Sequence, residues 1–284
     1  MTYRPCAARG ARLSDFRAPH RRVPQEPLLT DITLFEARGE IAHFVFNRPQ
    51  ARNALTFEMY EQLYEAVLRV NADKSVKALV ISGAGGKAFA AGTDIAEFRV
   101  LASDQDCIDY EIKIERILSA LEHCRVPTLA AIAGACTGGG AAIAACCDLR
   151  IAASDAKFGF PIARTLGNCL SVANYGRLAH LIGAARVKDL IFTARLIDAE
   201  EARVFGLVGE IVAPDVLMTR AEDLAQTVAG HAPLTLSATK QALLRLRPPM
   251  ETGADLVVMC YRSQDFQEGM EAFLAKRPPR WRGE

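Results

Sequence analysis

The sequence predicts a layered α/β domain, and three observations carry that expectation. Apolar runs of strand length recur through the first two thirds of the chain, helical spacing fills the gaps between them, and two of the runs lead directly into glycine-rich loops. The 284 residues are half apolar and about a quarter charged, enough for a full core. In order, Ile32 to Phe35 and Ile41 to Phe46 read as strands around an Arg38-Gly39 turn. Met59, Leu63, Val67 and Val70 recur at helical spacing over 56–72. Buried strands follow at 77–82, 128–133 and 149–153, with helices near 105–123 and 139–147. Beyond about residue 185 the pattern is helical, with candidates near 199–205, 217–229, 235–247 and 252–274.

Composition excludes several classes of function. Thirty-four basic residues against 33 acidic leave a net charge of +1, so nothing draws the chain to nucleic acid or to a membrane surface. No apolar run reaches the roughly 18 residues of a membrane helix. The eight cysteines form no CxxC pair and no His/Cys cluster at metal spacing, so no metal site is expected. They read as reduced thiols of a cytoplasmic core. Residues 1–27 stand apart: six arginines face only Asp15 and Glu26, without periodicity, and are expected to form a disordered leader.

Two segments carry the chemistry. Gly83 to Asp94 reads GAGGKAFAAGTD, a strand running into a glycine-rich loop and then an acidic residue at a helix start. Ile81 and Ala88 break the phosphate-loop pattern, and the dinucleotide GxGxxG is also absent. In the second segment, Gly134 to Asp148, three glycines (138–140) lead a buried strand into an Ala-rich helix. A helix N-terminus offers unpaired N–H donors and partial positive charge, and two such loops aimed at one carbonyl oxygen make an oxyanion hole.

The ordered motifs Asn47-Arg-Pro49, Asn53-Ala-Leu55, Lys87 to Asp94, Gly138-Gly-Gly140 with Cys147-Asp148, Arg195 to Val208 and Glu268 to Arg277 closely resemble the crotonase, or enoyl-CoA hydratase/isomerase, superfamily over roughly residues 30 to 280. The resemblance implies an α/β crotonase-like spiral of ββα turns with a helical C-terminal trimerisation region. It implies no tightly bound cofactor, coenzyme A entering only as part of an acyl-CoA thioester substrate. It also implies a homotrimer or dimer of trimers. On this reading 28–195 is the acyl-CoA-binding core and 196–284 the helical region. The oxyanion donors are the backbone N–H groups of Thr93 and Gly139; Ala91 and Gly92 edge the adenine pocket; Phe273 and Lys276 reach coenzyme A.

The family's hydratases use two glutamates, and the corresponding positions here are Ala142 and Ile162 or Ala163. Between Gly134 and Leu178 the carboxylates are Asp148 and Asp155, both expected to pair with backbone donors. Other groups near the acyl pocket are Asn168, which can hydrogen-bond a substrate or water, and Cys169, a nucleophile if a cation such as Arg164 stabilises its thiolate. Glu111 and Glu115 are read most cheaply as an exposed helix face. The expectation is an acyl-CoA enzyme of the enoyl-CoA hydratase/isomerase type with a backbone oxyanion hole and a non-standard acid/base set. The alternative is an inactive acyl-CoA-binding or sensor protein of the same fold.

Overall fold

The protein is described by a computed structural model that covers residues 32–247 and 253–283. The leader expected over 1–27 lies outside the described residues. The first hairpin forms as expected, β1 (Thr33–Arg38) against β2 (Ile41–Phe46), with Gly39 in the left-handed region at the turn. Helix α1 (Phe57–Ala72) follows, capped by the Thr56 hydroxyl, which accepts from the Met59 N–H.

Three similar units then repeat. Strand β3 (Ala78–Gly83) passes into a short β4 (Ala88–Ala90) and helix α2 (Asp104–Glu122); β5 (Thr128–Ile132) into β6 (Ala135–Thr137) and α3 (Gly139–Cys146); and β7 (Leu149–Ala153) into β8 (Lys157–Gly159) and α4 (Ile162–Thr165). The long strands build one sheet and the short strands a second, so each turn of the spiral is a ββα unit. Helices α5 (Val172–Ile182), α6 (Ala184–Thr193) and α7 (Ala199–Val204) follow, with β9 (Ile197–Asp198) ahead of α7 and β10 (Glu210–Val212) after it. The main sheet has the order β1-β2-β3-β5-β7-β10 and the second β4-β6-β8-β9. Both sheets therefore draw a strand from beyond residue 195.

From β2 to β10 the main sheet is parallel, and such sheets are covered on both faces. Alternation along β3 sorts Leu79 and Ile81 into the larger core, with Phe44, Phe46 and Ile132, and Ala78 and Val80 into a smaller one. The smaller core is closed by α8 (Leu217–Ala229), whose Leu217, Ala221, Ala225 and Ala229 recur every fourth residue and are buried. Helix α9 (Pro233–Arg245) lies beyond it. The helix expected over 252–274 is two, α10 (Ala254–Tyr261) and α11 (Gln264–Leu274). Ser263 makes the break by adopting extended backbone and accepting from the Phe266 N–H. Helix α5 was not expected as an element, and α6 lies where the pattern turns helical but outside the candidates placed there. Ser171 caps α5, and Gly183, at φ 82°, turns the chain between them.

Close packing between turns of the spiral explains two glycines. A Cβ at Gly134 would sit 2.1 Å from the Lys87 carbonyl oxygen, and one at Gly140 2.3 Å from that of Ala90. Asp148 accepts from the Thr128 N–H and hydroxyl at 2.8 and 3.0 Å and from Lys240 Nζ at 2.7 Å. Its role is structural, as expected from the sequence.

Asn53 locks the segment between β2 and α1 onto the first glycine loop. Fully buried at φ 54°, it accepts from the Arg48 N–H (2.9 Å) and donates to the carbonyls of Ala84 (3.0 Å) and Ala88 (2.8 Å). Asn tolerates this backbone better than residues without a short polar side chain. Replacement by Ala is expected to cost roughly 2–4 kcal/mol, since buried carbonyls lose their donor and Ala is strained at positive φ. Denaturant titration checks this, and Asn53→Gly, free of the strain, separates out the hydrogen bonds.

Candidate active site

The two glycine loops meet. Gly92 and Gly138 approach closely enough that a Cβ on Gly138 would lie 3.5 Å from the Gly92 Cα. Thr93 pairs with Leu55 through a β-bridge, and Asp94 fixes the next turn by accepting from the Ala96 N–H at 3.2 Å. Arg48 clamps the far oxygen of Asp94 at 3.1 and 3.2 Å, so the Asn47-Arg-Pro49 motif holds this loop in place. The Thr93 hydroxyl lies 2.9 Å from the buried Tyr60 phenol. A Cβ on Gly139 would fall 2.0 Å from that phenol and 3.1 Å from Thr93 Oγ1. Gly139 opens α3, where no preceding turn supplies an acceptor for its N–H. Gly138 before it adopts φ 53°, ψ −121°, a conformation open to glycine.

These loops open onto a cavity of about 500 Å³. Its walls include Ala91, Gly92, Thr93 and Gly139 from the loops, Glu111, Ile114 and Leu118 from α2, Ala142 from α3, Ile162 from α4, Asn168 and Cys169 from the next loop, and Tyr261, Phe273 and Leu274 from the C-terminal helices. Eight of the sequence-derived site residues are placed by this geometry: seven line one chamber, and Lys276 stands outside it, exposed at φ 53°. Ala163 is exposed and faces away from the chamber's lining.

Among the described residues that line the cavity, the carboxylates are Glu111 and Asp94. Asp94 is held by Arg48, but among the described residues Glu111 has no cation partner. Burial pushes its carboxyl up to about 7; a hydrogen bond from Tyr261 pulls the other way, and the nearby Glu115 adds to the rise. Tyr261 Oη donates to Glu111 Oε1 at 2.8 Å. The exposed-face reading therefore fits Glu111 poorly. It occupies the inward stripe Cys107, Glu111, Ile114, Leu118, a carboxylate at an otherwise apolar helical position, and that spacing was the signal in the sequence. Glu115 points elsewhere and pairs with Arg177, whose Nη1 donates at 2.7 Å.

Asn168 Nδ2 donates to the Tyr261 phenol at 3.3 Å. A hydrogen bond to Cys260, with burial, pushes the Cys169 thiol well up, so the thiolate that a nucleophile needs is disfavoured there. Arg164 is exposed on α4. Among the described residues no group of three or more His, Cys, Asp or Glu side chains is placed to hold a metal, and no helix is long and apolar enough to cross a membrane.

A ββα spiral thus brings two glycine loops from successive turns together at the edge of one chamber. The sequence profile of the enoyl-CoA hydratase/isomerase family matches residues 36–284, and the chain belongs to that family. It is 35% identical over 249 residues to a crotonyl-CoA hydratase of Syntrophomonas wolfei, covering 86% of this chain and 95% of that one. Among solved structures, an enoyl-CoA hydratase/carnithine racemase of Magnetospirillum magneticum aligns with TM-score 0.74 and 33% identity, over 90% of this chain and 97% of the other. A methylmalonyl-CoA decarboxylase bound to 2-nitronate-propionyl-CoA aligns with TM-score 0.81 and 27% identity, over 89% and 99%. The chain is thus an enzyme of the hydratase/isomerase kind with the crotonase-like fold.

The displaced titration of Glu111 has a consequence for stability. Its folded value, about 7, lies above the ordinary 4.5, so between these values the native state binds more protons than the unfolded chain. Stability contributed by this group is present below pH 4.5, falls as pH rises to about 7, and stays lost above it. Unfolding midpoints at pH 5 and pH 8 are expected to show wild type losing stability relative to Glu111→Gln. An equal gap at both values would mean that the carboxyl titrates normally.

Proposed function

We propose that the enzyme polarises the carbonyl of an acyl-CoA thioester between the N–H groups of Thr93 and Gly139 and moves a proton with Glu111, hydrating a 2-enoyl-CoA. The observation that carries this reading is the placement of one cation-free, half-buried carboxyl in the same chamber as the two converging glycine loops. The names of the similar proteins, a crotonyl-CoA hydratase and an enoyl-CoA hydratase/carnithine racemase, support the substrate class. Water adds to the β-carbon while negative charge collects on the thioester oxygen, where backbone donors stabilise it; removal of one such donor typically costs about 2.7–4 kcal/mol. As its carboxylate, Glu111 takes the proton of the attacking water; as the acid, it returns that proton to the α-carbon. A base titrating near 7 suits both steps at neutral pH.

In this reading Ala142 and Ile162 form apolar wall where other family members carry the two glutamates, and Asn168 and Cys169 shape the acyl pocket. Ala91 and Gly92 edge the coenzyme A entry and Phe273 its rim. Lys276 meets coenzyme A phosphate in a trimer or dimer of trimers, an assembly supported by the exposed apolar side chains Leu234, Leu246 and Met259. A cytoplasmic setting fits the unpaired cysteines.

A second reading has one observation in its favour. The methylmalonyl-CoA decarboxylase superposes with TM-score 0.81. Loss of carbon dioxide from a malonyl-type thioester needs the oxyanion hole and an acid to protonate the enolate, but no base.

Loss of the conjugated double bond of crotonyl-CoA tests the first reading. Turnover is expected to rise through about pH 7 as Glu111 ionises, and Glu111→Gln to fall by about 10² to 10⁴ with the pH limb abolished. Full activity in Glu111→Gln would end the assignment. Gly139→Ala places a methyl against Tyr60 and is expected to lower turnover by at least about 100-fold. Turnover of a malonyl-type thioester with none of crotonyl-CoA would instead select the decarboxylase.

A further inference from the structure

The C-terminal helical region reaches into the chamber through one side chain. Tyr261, the last residue of α10, is buried, and its phenol stands between two groups from different parts of the spiral. It donates to Glu111 Oε1 on α2 at 2.8 Å and receives from Asn168 Nδ2, in the loop before α5, at 3.3 Å. Since a phenol has one hydrogen, the direction of the chain follows: Asn168 to Tyr261 to Glu111. The same loop and helix touch a second time, Cys169 Sγ donating to the Leu256 carbonyl at 3.5 Å. Rings of Phe98, Tyr110 and Phe266 surround Tyr261 at centroid distances of 4.9 to 6.0 Å and hold it without its hydroxyl.

We infer that Tyr261 is a positioning residue for Glu111: its hydroxyl ties one carboxylate oxygen in place so that the other faces the substrate, and Asn168 acts only through Tyr261. This rests on the reading of Glu111 as the proton-transfer group. It changes the role of Asn168, expected from the sequence to touch substrate or water. A carboxylate on a flexible side chain reacts efficiently when one oxygen is fixed and the other left free, and a charge-assisted hydrogen bond does this without a second charge. The groups facing Glu111 besides Tyr261 are Glu115 on its own helix, the phenols of Tyr60, Tyr110 and Tyr175, and the Cys169 thiol. None of these is a cation, so the Tyr261 hydrogen bond is what favours the carboxylate over the acid.

The experiment is a double-mutant cycle read through pH profiles of the purified full chain with crotonyl-CoA. Tyr261→Phe keeps the ring packing and removes the hydrogen. It is expected to lower kcat by about 10- to 100-fold with KM little changed, and to move the acidic limb up by about one pH unit, the size of a lost hydrogen bond to a charged group. Asn168→Ala is expected to shift the limb the same way by less. In the Tyr261→Phe background it is expected to add nothing. Unfolding midpoints of the variants show whether a loss of rate is a loss of fold, and the limb position is indifferent to the amount of folded enzyme.

If Tyr261→Phe leaves both limb and kcat unmoved while Glu111→Gln is inactive, the inference is overturned and the Glu111 assignment stands. Additive losses from Asn168→Ala and Tyr261→Phe would overturn the indirect role of Asn168. If Glu111→Gln itself retains activity, the underlying reading of the site has failed instead.

Discussion

Gly139 has no side chain, and the rest of the site depends on that absence. Its Cα lies where a single methyl would collide with the Tyr60 phenol and crowd Thr93. Because the position stays bare, the N-terminus of α3 and the loop after β4 come together, each arriving from a different turn of the spiral. The contact is prepared at a distance. Arg48 holds Asp94, Asn53 holds the strand before it, and the second sheet pairs β4 with β6 so that their exits are neighbours. The convergence of the two loops is therefore a property of backbone register, made before any side chain enters the chamber.

Much of this register was legible in the sequence, and the reasons for the rest are physical. Strands β3 and β5 were legible because a parallel sheet buried on both faces needs near-continuous apolar runs, and β2 and β7 keep most of that pattern around His43 and Arg150. Strands β4, β6 and β8 are three residues each, too short for a period of two to register, and β4 and β6 lie inside what read as glycine loops. Helix α5 carries Asn174 and Arg177 at inward-facing positions, and polar residues there dilute its apolar pattern. Arg177 is nonetheless buried, because Glu115 and Glu122 neutralise it from α2.

Glu111 departs from the exposed-face expectation for a related reason. A carboxylate on a helix is usually solvated, and the bland reading is right wherever the apolar stripe lies elsewhere. Here the stripe runs through it. Residues 107, 114 and 118 on either side are buried, and the cavity supplies the space that a packed core would refuse. The cost of such a site appears in its titration, raised by burial and moderated by the Tyr261 hydrogen bond. Asp148 shows the opposite case: with Lys240 and the Thr128 N–H beside it, a partly buried carboxylate serves the fold alone.

The two halves of the chemistry differ in how freely they can be rearranged. In the proposed function the oxyanion donors belong to the main chain, so replacing neighbouring side chains leaves them in place; Ala142 and Ile162 occupy walls of the chamber without disturbing Gly139. A proton-transfer group is a side chain, and any wall within reach can carry it. In the proposed function α2 offers Glu111, and the C-terminal helix α10, docked against the loop before α5, supplies its hydrogen-bond partner. The helical region is thus tied to Glu111 as well as to packing: displacing α10 would release that carboxyl even with both glycine loops intact. A fold that fixes the charge-stabilising half in its backbone can change the acid/base half one residue at a time, provided each new carboxyl arrives with a donor to hold it.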